Sequence, residues 1–346
     1  MRYARVHLDS IGYELPPHVV TSADLEARLG PLYETLNMKP GQLEALTGVR
    51  ERRWWPPDCK MCDGAIRAGR KAIDASTVPP SEIGMLIYGG VCRDNLEPAT
   101  ACSVAAGLGL AGHTQIFDIS NACLGVMNGI VQVANAIELG QTRAGLVVSC
   151  ESARQIVGTT IDHLNHEPTP DNFRLSVATL TGGSGAVGVL VAHESLTAAG
   201  HRLLGGVIRS NAEHHELCRW GPDTGIPASA PLVMRTDSVG VLQHGIKLGI
   251  ETWREFRREL DWLDSGPDKL VCHQVGSAHQ DMMLKCIDMP RERDFTTYGH
   301  LGNIGTVSLP LTLAIAAERG FLVPSDRIGL LGIGSGLNCL MMGVVW

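Results

Sequence analysis

The chain repeats one arrangement of apolar segments, and that duplication limits the folds open to it more than any other feature. Met85-Leu-Ile-Tyr-Gly-Gly is a short apolar run ending in glycine. It is followed by Gln115-Ile-Phe-Asp-Ile, by a nearly uncharged helical run from Cys123 to about Leu139, and by Ala144-Gly-Leu-Val-Val-Ser-Cys. The order recurs as Lys269-Leu-Val-Cys-His-Gln, Gly302-Asn-Ile-Gly-Thr-Val-Ser, the helical Leu309–Arg319, and Arg327-Ile-Gly-Leu-Leu-Gly-Ile. Each half predicts strand, helix, strand-like turn, buried helix, strand. Apolar runs this short suit strands covered on both faces, and a helix without charge on any side belongs between layers. Helices between strands imply right-handed crossovers and mostly parallel sheets. The expected boundary lies near His193–Gly206, giving an N-terminal half, 1–200, and a C-terminal half, 201–346. Gln155–Arg174, rich in His, Asp, Asn and Pro, reads as an inserted loop. Asn211–Asp237, with Pro222, Pro227 and Pro231, reads as a second irregular excursion.

Composition excludes several function classes. Of 346 residues 44% are hydrophobic and 19% charged, so a sizeable core is expected and global disorder is not. The net charge of −7 and the lack of any Lys/Arg run argue against a nucleic-acid partner. Ile119–Ile137 and Ile328–Trp346 carry no charge, but their Asn, Gln, Ser and Gly content fits buried elements better than a membrane span. Ten cysteines without an export signal point to reduced thiols and a cytoplasmic location. Cys59 and Cys62 form a C-x2-C pair with no second ligand pair, so no metal site is expected.

Within this frame Cys123 is the leading candidate nucleophile. It lies in Asp118-Ile-Ser-Asn-Ala-Cys-Leu-Gly, at the start of a buried helical run. Unpaired N–H groups and the macrodipole there favour thiolate, so its pKa is expected below the free value of about 8.5. A buried structural cysteine is the competing reading. The second half offers partners at related points. His273 ends a strand, and Asn303 precedes the partner buried helix, with Pro310 near that helix's first turn. Both side chains can donate to a thioester carbonyl and stabilise an enolate. Taken singly, the histidine also reads as a satisfied structural residue and the asparagine as a turn residue. His279 reads as helical and structural. The turn Gly332-Ile-Gly-Ser-Gly-Leu-Asn can bring a backbone N–H, that of Ser335, close to a substrate because side chains are sparse. Together with the Cys123 N–H it can form an oxyanion site.

These residues resemble the thiolase superfamily, and within it the type III ketoacyl synthases. The resemblance spans the chain. It rests on Thr47-Gly-Val-Arg-Glu-Arg-Arg, Asp118–Gly125, Thr181-Gly-Gly-Ser-Gly-Ala, His273-Gln and Gly302-Asn, with 30 residues from His273 to Asn303. It implies a five-layered αβαβα fold of two similar halves, a homodimer, and a Cys123, His273, Asn303 triad. Two departures, Gly182-Gly-Ser-Gly-Ala without the usual Asp and Asn303-Ile-Gly in place of Asn-Thr-Ser, point toward the OleA-type enzymes that join two fatty acyl-CoA molecules head to head. Glu97 stands 26 residues before Cys123, similar to the glutamate those enzymes extend into the neighbouring subunit. Condensing two ordinary thioesters requires an α-proton to be removed, and a carboxylate in an apolar pocket suits that task. The alternatives are a decarboxylative synthase using malonyl-ACP, which needs no such base, and an accessory subunit of a heterodimer. Fatty acyl-CoA is the expected substrate, with no metal or redox cofactor. Val126, Met127 and Ile130 fit either an acyl channel or ordinary core. Trp54 and Trp55 fit either a CoA contact or packing.

Overall fold

The computed structural model describes residues 1–110, 112–197, 200–221 and 234–346; the prolines at 222, 227 and 231 fall outside them. The strands are β1 (Val6–Glu14), β2 (His18–Thr21), β3 (Glu51–Trp54), β4 (Ile83–Gly89), β5 (Gln115–Ile119), β6 (Ala144–Glu151), β7 (Gly185–His193), β8 (His201–Ser210), β9 (Cys218–Trp220), β10 (Met234–Thr236), β11 (Lys269–Cys272), β12 (Arg327–Gly334) and β13 (Asn338–Val345). The helices are α1 (Ser22–Arg28), α2 (Gly30–Thr35), α3 (Gln42–Thr47), α4 (Met61–Asp74), α5 (Thr100–Leu108), α6 (Gly125–Glu138), α7 (Arg154–His166), α8 (Pro170–Ser176), α9 (Ser238–Glu259), α10 (Ser277–Ile287), α11 (Tyr298–Leu301) and α12 (Ser308–Glu318).

Nine strands form one sheet in the order β5-β4-β6-β7-β1-β8-β13-β12-β11. The order is palindromic about β1 and β8. It matches β7 with β13, β6 with β12 and β4 with β11. The seam itself is narrow: His7 faces Arg202 and Leu8 faces His201. In the second half the counterpart of β5 shrinks to a single parallel bridge between Leu270 and Asp294.

The sheet is mixed, which corrects the expectation of mostly parallel pairing. Parallel contacts are confined to β4 with β5, β4 with β6, and β11 with β12. β6 with β7, β7 with β1, β1 with β8, β8 with β13 and β13 with β12 are antiparallel. The short turn after Gly334 allows β13 only to fold back on β12.

Alternating side chains sort the strands into layers. Ile87, Val147, Val187 and Val189 from the first half, and Val271, Leu330, Leu340 and Met342 from the second, pack on the same two helices, α6 and α12. Leu86, Leu146, Val148 and Leu190 point the other way, onto α4 and α5. Leu270, Leu331, Cys339 and Met341 likewise face α9 and α10. The result is helix, half-sheet, helix, half-sheet, helix, the two halves of the one sheet meeting at the β1–β8 seam. α12 is buried along nearly all its length, with its one charge, Glu318, at the exposed end, as an apolar helix between the two halves of the sheet must be. Val126, Met127 and Ile130 belong to this central core rather than to a channel wall.

The segment expected as an inserted loop at Gln155–Arg174 is instead α7 and most of α8. Most of its polar residues face outward, Thr160 being buried, while Ile156, Val157, Ile161 and Leu164 pack against Leu25, Leu29 and Leu32 of the first helices. The strand-like turn expected at Gly302–Ser308 is a single 3-10 turn, Gly305–Val307, running into α12. No helix among the described residues is long and apolar enough to cross a membrane.

Candidate active site

Cys123 sits on a tight turn between β5 and α6. Ala122 takes the left-handed conformation (φ 44°), and the Leu124 N–H returns to the Asn121 carbonyl at 2.9 Å. Gly89 makes the turn possible. A Cβ there would meet the Gly125 carbonyl carbon at 2.7 Å, so only glycine lets the end of β4 abut the start of α6. The Val126 N–H donates to Thr306 Oγ1 at 2.7 Å, tying the helix start to the second half.

Asn303 reaches the same place from the other half. Its N–H donates to the Thr181 carbonyl (3.0 Å), and its carbonyl accepts from the Gly183 N–H (2.8 Å). Gly183 is tightly confined, since a Cβ there would collide with the Leu301 carbonyl oxygen. The Gly305 N–H donates to Asn303 Oδ1 at 3.0 Å, so the Nδ2 protons are the end left to face a ligand. Gly183 stands where the resemblance expects an aspartate, and Ser184 follows it. Ser184 Oγ accepts from the Ala153 N–H (3.1 Å) at the head of α7. The Thr47–Arg53 motif holds this neighbourhood in place. Arg52 is fully buried and donates to Ser22 Oγ and the Leu180 carbonyl, both within 3.2 Å, and burial lowers its pKa to about 10.

Cys123, Asn303 and Ser335 line one cavity of about 250 Å³. Ser335 belongs to the turn after β12, where Gly334 leaves room for the Cys123 backbone N–H. His273 is not among the residues on this wall. It directly follows β11, with its N–H on the Leu331 carbonyl (2.9 Å), one strand away from the glycines that touch Cys123 and Leu124. Its Nδ1 is buried without a partner, and burial pushes its pKa down to about 3, so the imidazole is neutral. His279, on α10, is likewise held neutral by burial, at about 4. Glu97 is exposed on the segment between β4 and α5 and does not line the Cys123 cavity of its own chain.

The thiol corrects the expectation of a depressed pKa. Cys123 precedes α6, whose N-cap is Leu124, rather than standing within its first turn. Burial pushes the thiol up to about 12, and the nearby Cys218 and Glu151 add to the rise. Loss of hydration outweighs the helix terminus.

The cavity also contains groups not anticipated from the sequence. Glu151, the last residue of β6, is buried on its wall, with its carboxyl pKa raised by burial. Its signal was present: a carboxylate closing an otherwise apolar strand. Cys218, Trp220 and Met234, on the β9–β10 ribbon, close another side. A second, largely apolar cavity of about 440 Å³ adjoins the first at Ala178 and runs between Phe173, Val177, Val241 and Leu242. Trp54 and Trp55 are buried, and their indole N–H groups donate to the Gly182 and Glu151 carbonyls. Both therefore pack. Cys59 and Cys62 gather no metal-binding group among the described residues.

A family model described as the C-terminal region of 3-oxoacyl-[acyl-carrier-protein] synthase III matches residues 259–346. An acyl-CoA:acyl-CoA alkyltransferase of Shewanella oneidensis is 51% identical over all of both chains. One from Xanthomonas campestris is 36% identical, again over 100% of each. A crystal structure of Xanthomonas campestris OleA superposes with a TM-score of 0.93 over 100% of this chain and 98% of that one, at 36% identity. Another, with lauric acid and lauroyl-CoA bound, covers 99% of this chain and 100% of its own, with a TM-score of 0.91 at 36% identity. Structures of that relative include variants at a cysteine, a glutamate and a histidine. Its cysteine and glutamate are 26 positions apart, as Cys123 and Glu97 are here.

Proposed function

The chain belongs to the acyl-CoA:acyl-CoA alkyltransferases, acyltransferases of the thiolase fold, and we propose that it condenses two fatty acyl-CoA molecules head to head without decarboxylation. The observation that carries this reading is the shared cavity of Cys123, Asn303 and Ser335, assembled from both halves of the chain. The thiol of Cys123 attacks an acyl-CoA carbonyl. A carbon–sulfur bond forms, the bond to the CoA sulfur breaks, and the proton leaves on that departing sulfur. The backbone N–H groups of Cys123 and Ser335 receive the oxyanion.

A second acyl-CoA then enters. Asn303 Nδ2, whose orientation is fixed by the Gly305 N–H on Oδ1, donates to its carbonyl oxygen, with His273 as the second, neutral donor. Glu97 of the partner subunit in a homodimer takes the α-proton. Its exposure in its own chain and its 26-residue spacing from Cys123 support that assignment. The carbanion attacks the acyl-cysteine carbonyl, a carbon–carbon bond forms, the bond to Cys123 sulfur breaks, and the departing thiolate takes the proton held by Glu97, leaving a β-ketoacyl-CoA and the free thiol. Hydrolysis of that thioester yields a β-keto acid, a precursor for long-chain olefin or β-lactone formation. The apolar cavity beside Ala178 supplies room for an acyl chain or the thioester arm. The residues need neither a metal nor a redox cofactor.

Incubating the purified protein with one long-chain acyl-CoA and identifying products by mass spectrometry tests the reading. A β-keto product of twice the chain length supports it. Product formed only when a malonyl thioester is added assigns the decarboxylative reaction instead. Failure of Cys123 to gain an acyl group points to an accessory role.

A further inference from the structure

The segment between β4 and α5, residues 90–99, carries Glu97 and is hung from three carboxylates. At its root, Glu151 accepts from the Val91 N–H at 2.8 Å and the Cys92 N–H at 3.2 Å. Midway, the segment's own Asp94 accepts from the Met61 and Cys62 N–H groups at 2.6 and 2.8 Å, capping α4. At its far end, Asp118 of β5 accepts from the Thr100 and Ala101 N–H groups, both at 2.9 Å, capping α5. Each carboxylate satisfies two backbone donors. Asn95–Pro98, the stretch with Glu97, is exposed between these fixed points.

Glu151 differs from the other two. It is buried, it lines the Cys123 cavity, and a Cβ on Gly90 would lie 3.2 Å from its Oε1. One side chain thus touches both the nucleophile's chamber and the root of the Glu97 segment. We infer that Glu151 is a positioning residue for the condensation, fixing where the Glu97 segment leaves the sheet while placing a carboxyl group on the wall of the Cys123 cavity.

This inference rests on the assignment of Glu97 as base, and its tests separate the two. Glu151→Gln keeps the side-chain shape but offers one acceptor oxygen where two N–H groups need acceptors. Condensation is expected to fall by about 10–100-fold, the size of effect that slight misplacement of a reacting group produces. The rate of Cys123 acylation, followed by intact mass, is expected to shift along the pH axis toward lower pH, because one of two groups that raise the thiol pKa has lost its charge. The other, Cys218, is unchanged. Glu151→Asp, which keeps the charge, is expected to leave that pH profile near wild type. A purely structural role would not move it.

Asp94→Asn supplies a variant remote from the cavity. It is expected to lower condensation while Cys123 acylates at the wild-type rate. An unshifted acylation profile in Glu151→Gln, or full condensation in both Glu151→Gln and Asp94→Asn while Glu97→Ala abolishes it, overturns the inference. Full condensation in Glu97→Ala instead removes the base assignment on which it stands.

Discussion

The two halves share a topology but end it in different chemistry. In the first, β5 runs for five paired residues along β4 and stops at a tight turn that presents a thiol. In the second, the equivalent strand is one bridge at Asp294, and the chain then wanders through α11 before presenting the carboxamide of Asn303. Cys123, the proposed nucleophile, which in that mechanism holds one position through two chemical steps, lies on the more regular scaffold. Asn303, the proposed donor, depends on backbone bonds borrowed from the first half, at Thr181 and Gly183. Duplication therefore supplied two similar frames, and the site arises where one leans on the other.

Substitutions at the two turns test that division most strongly. Cys123→Ala is expected to abolish both the acyl-enzyme mass shift and product. Asn303→Ala is expected to lower condensation by about 100–1,000-fold, as loss of an oxyanion donor does, while acyl-enzyme still accumulates. Equal loss of both steps in Asn303→Ala would break the comparison.

Packing gives the next largest effect. Gly89→Ala forces a methyl group against the Gly125 backbone and is expected to cost about 1–3 kcal/mol in denaturant unfolding. β11, the counterpart strand, ends in Cys272 and has no such requirement.

His273, one of several histidines of the second half held neutral by burial, gives a pH signature. Its pKa is pushed down to about 3 in the folded state, below the ordinary 6.5. Between those values the unfolded chain binds a proton that the folded chain refuses. Stability is therefore present above the unfolded value and lost as pH falls, by up to about 1.4 kcal/mol per unit. His273→Asn is expected to make this loss shallower by one histidine's contribution in urea titrations between about pH 6.5 and pH 4, with His279 and His201 still contributing. The smallest effect belongs to Thr306→Val. It removes the hydrogen bond to the Val126 N–H between the halves and is expected to cost about 1–2 kcal/mol.

Much of this architecture was legible in the chain. Uncharged runs at α6 and α12 marked helices between layers, and Cys123 and Asn303 fell at their heads because duplication repeats positions. Strand direction was not legible, since an apolar run carries no sign of parallel or antiparallel pairing. α7 was hidden because its outward residues dominate its composition while four buried apolar residues hold it. The thiol pKa was misjudged because sequence shows the helix start but not the depth of burial. Glu151 was marked in the chain only as a carboxylate closing an apolar strand, and its contacts emerged once β6 and the segment after β4 met in space.

A nucleophile kept un-ionised has a consequence for survival in a cell. Peroxides and soft electrophiles consume thiolates, and at neutral pH Cys123 offers them very little. A thioester differs, because its own leaving sulfur accepts the proton during attack. The site is thereby guarded by the chemistry of its substrate, and inhibitors whose leaving atom cannot accept the thiol proton should inactivate it slowly.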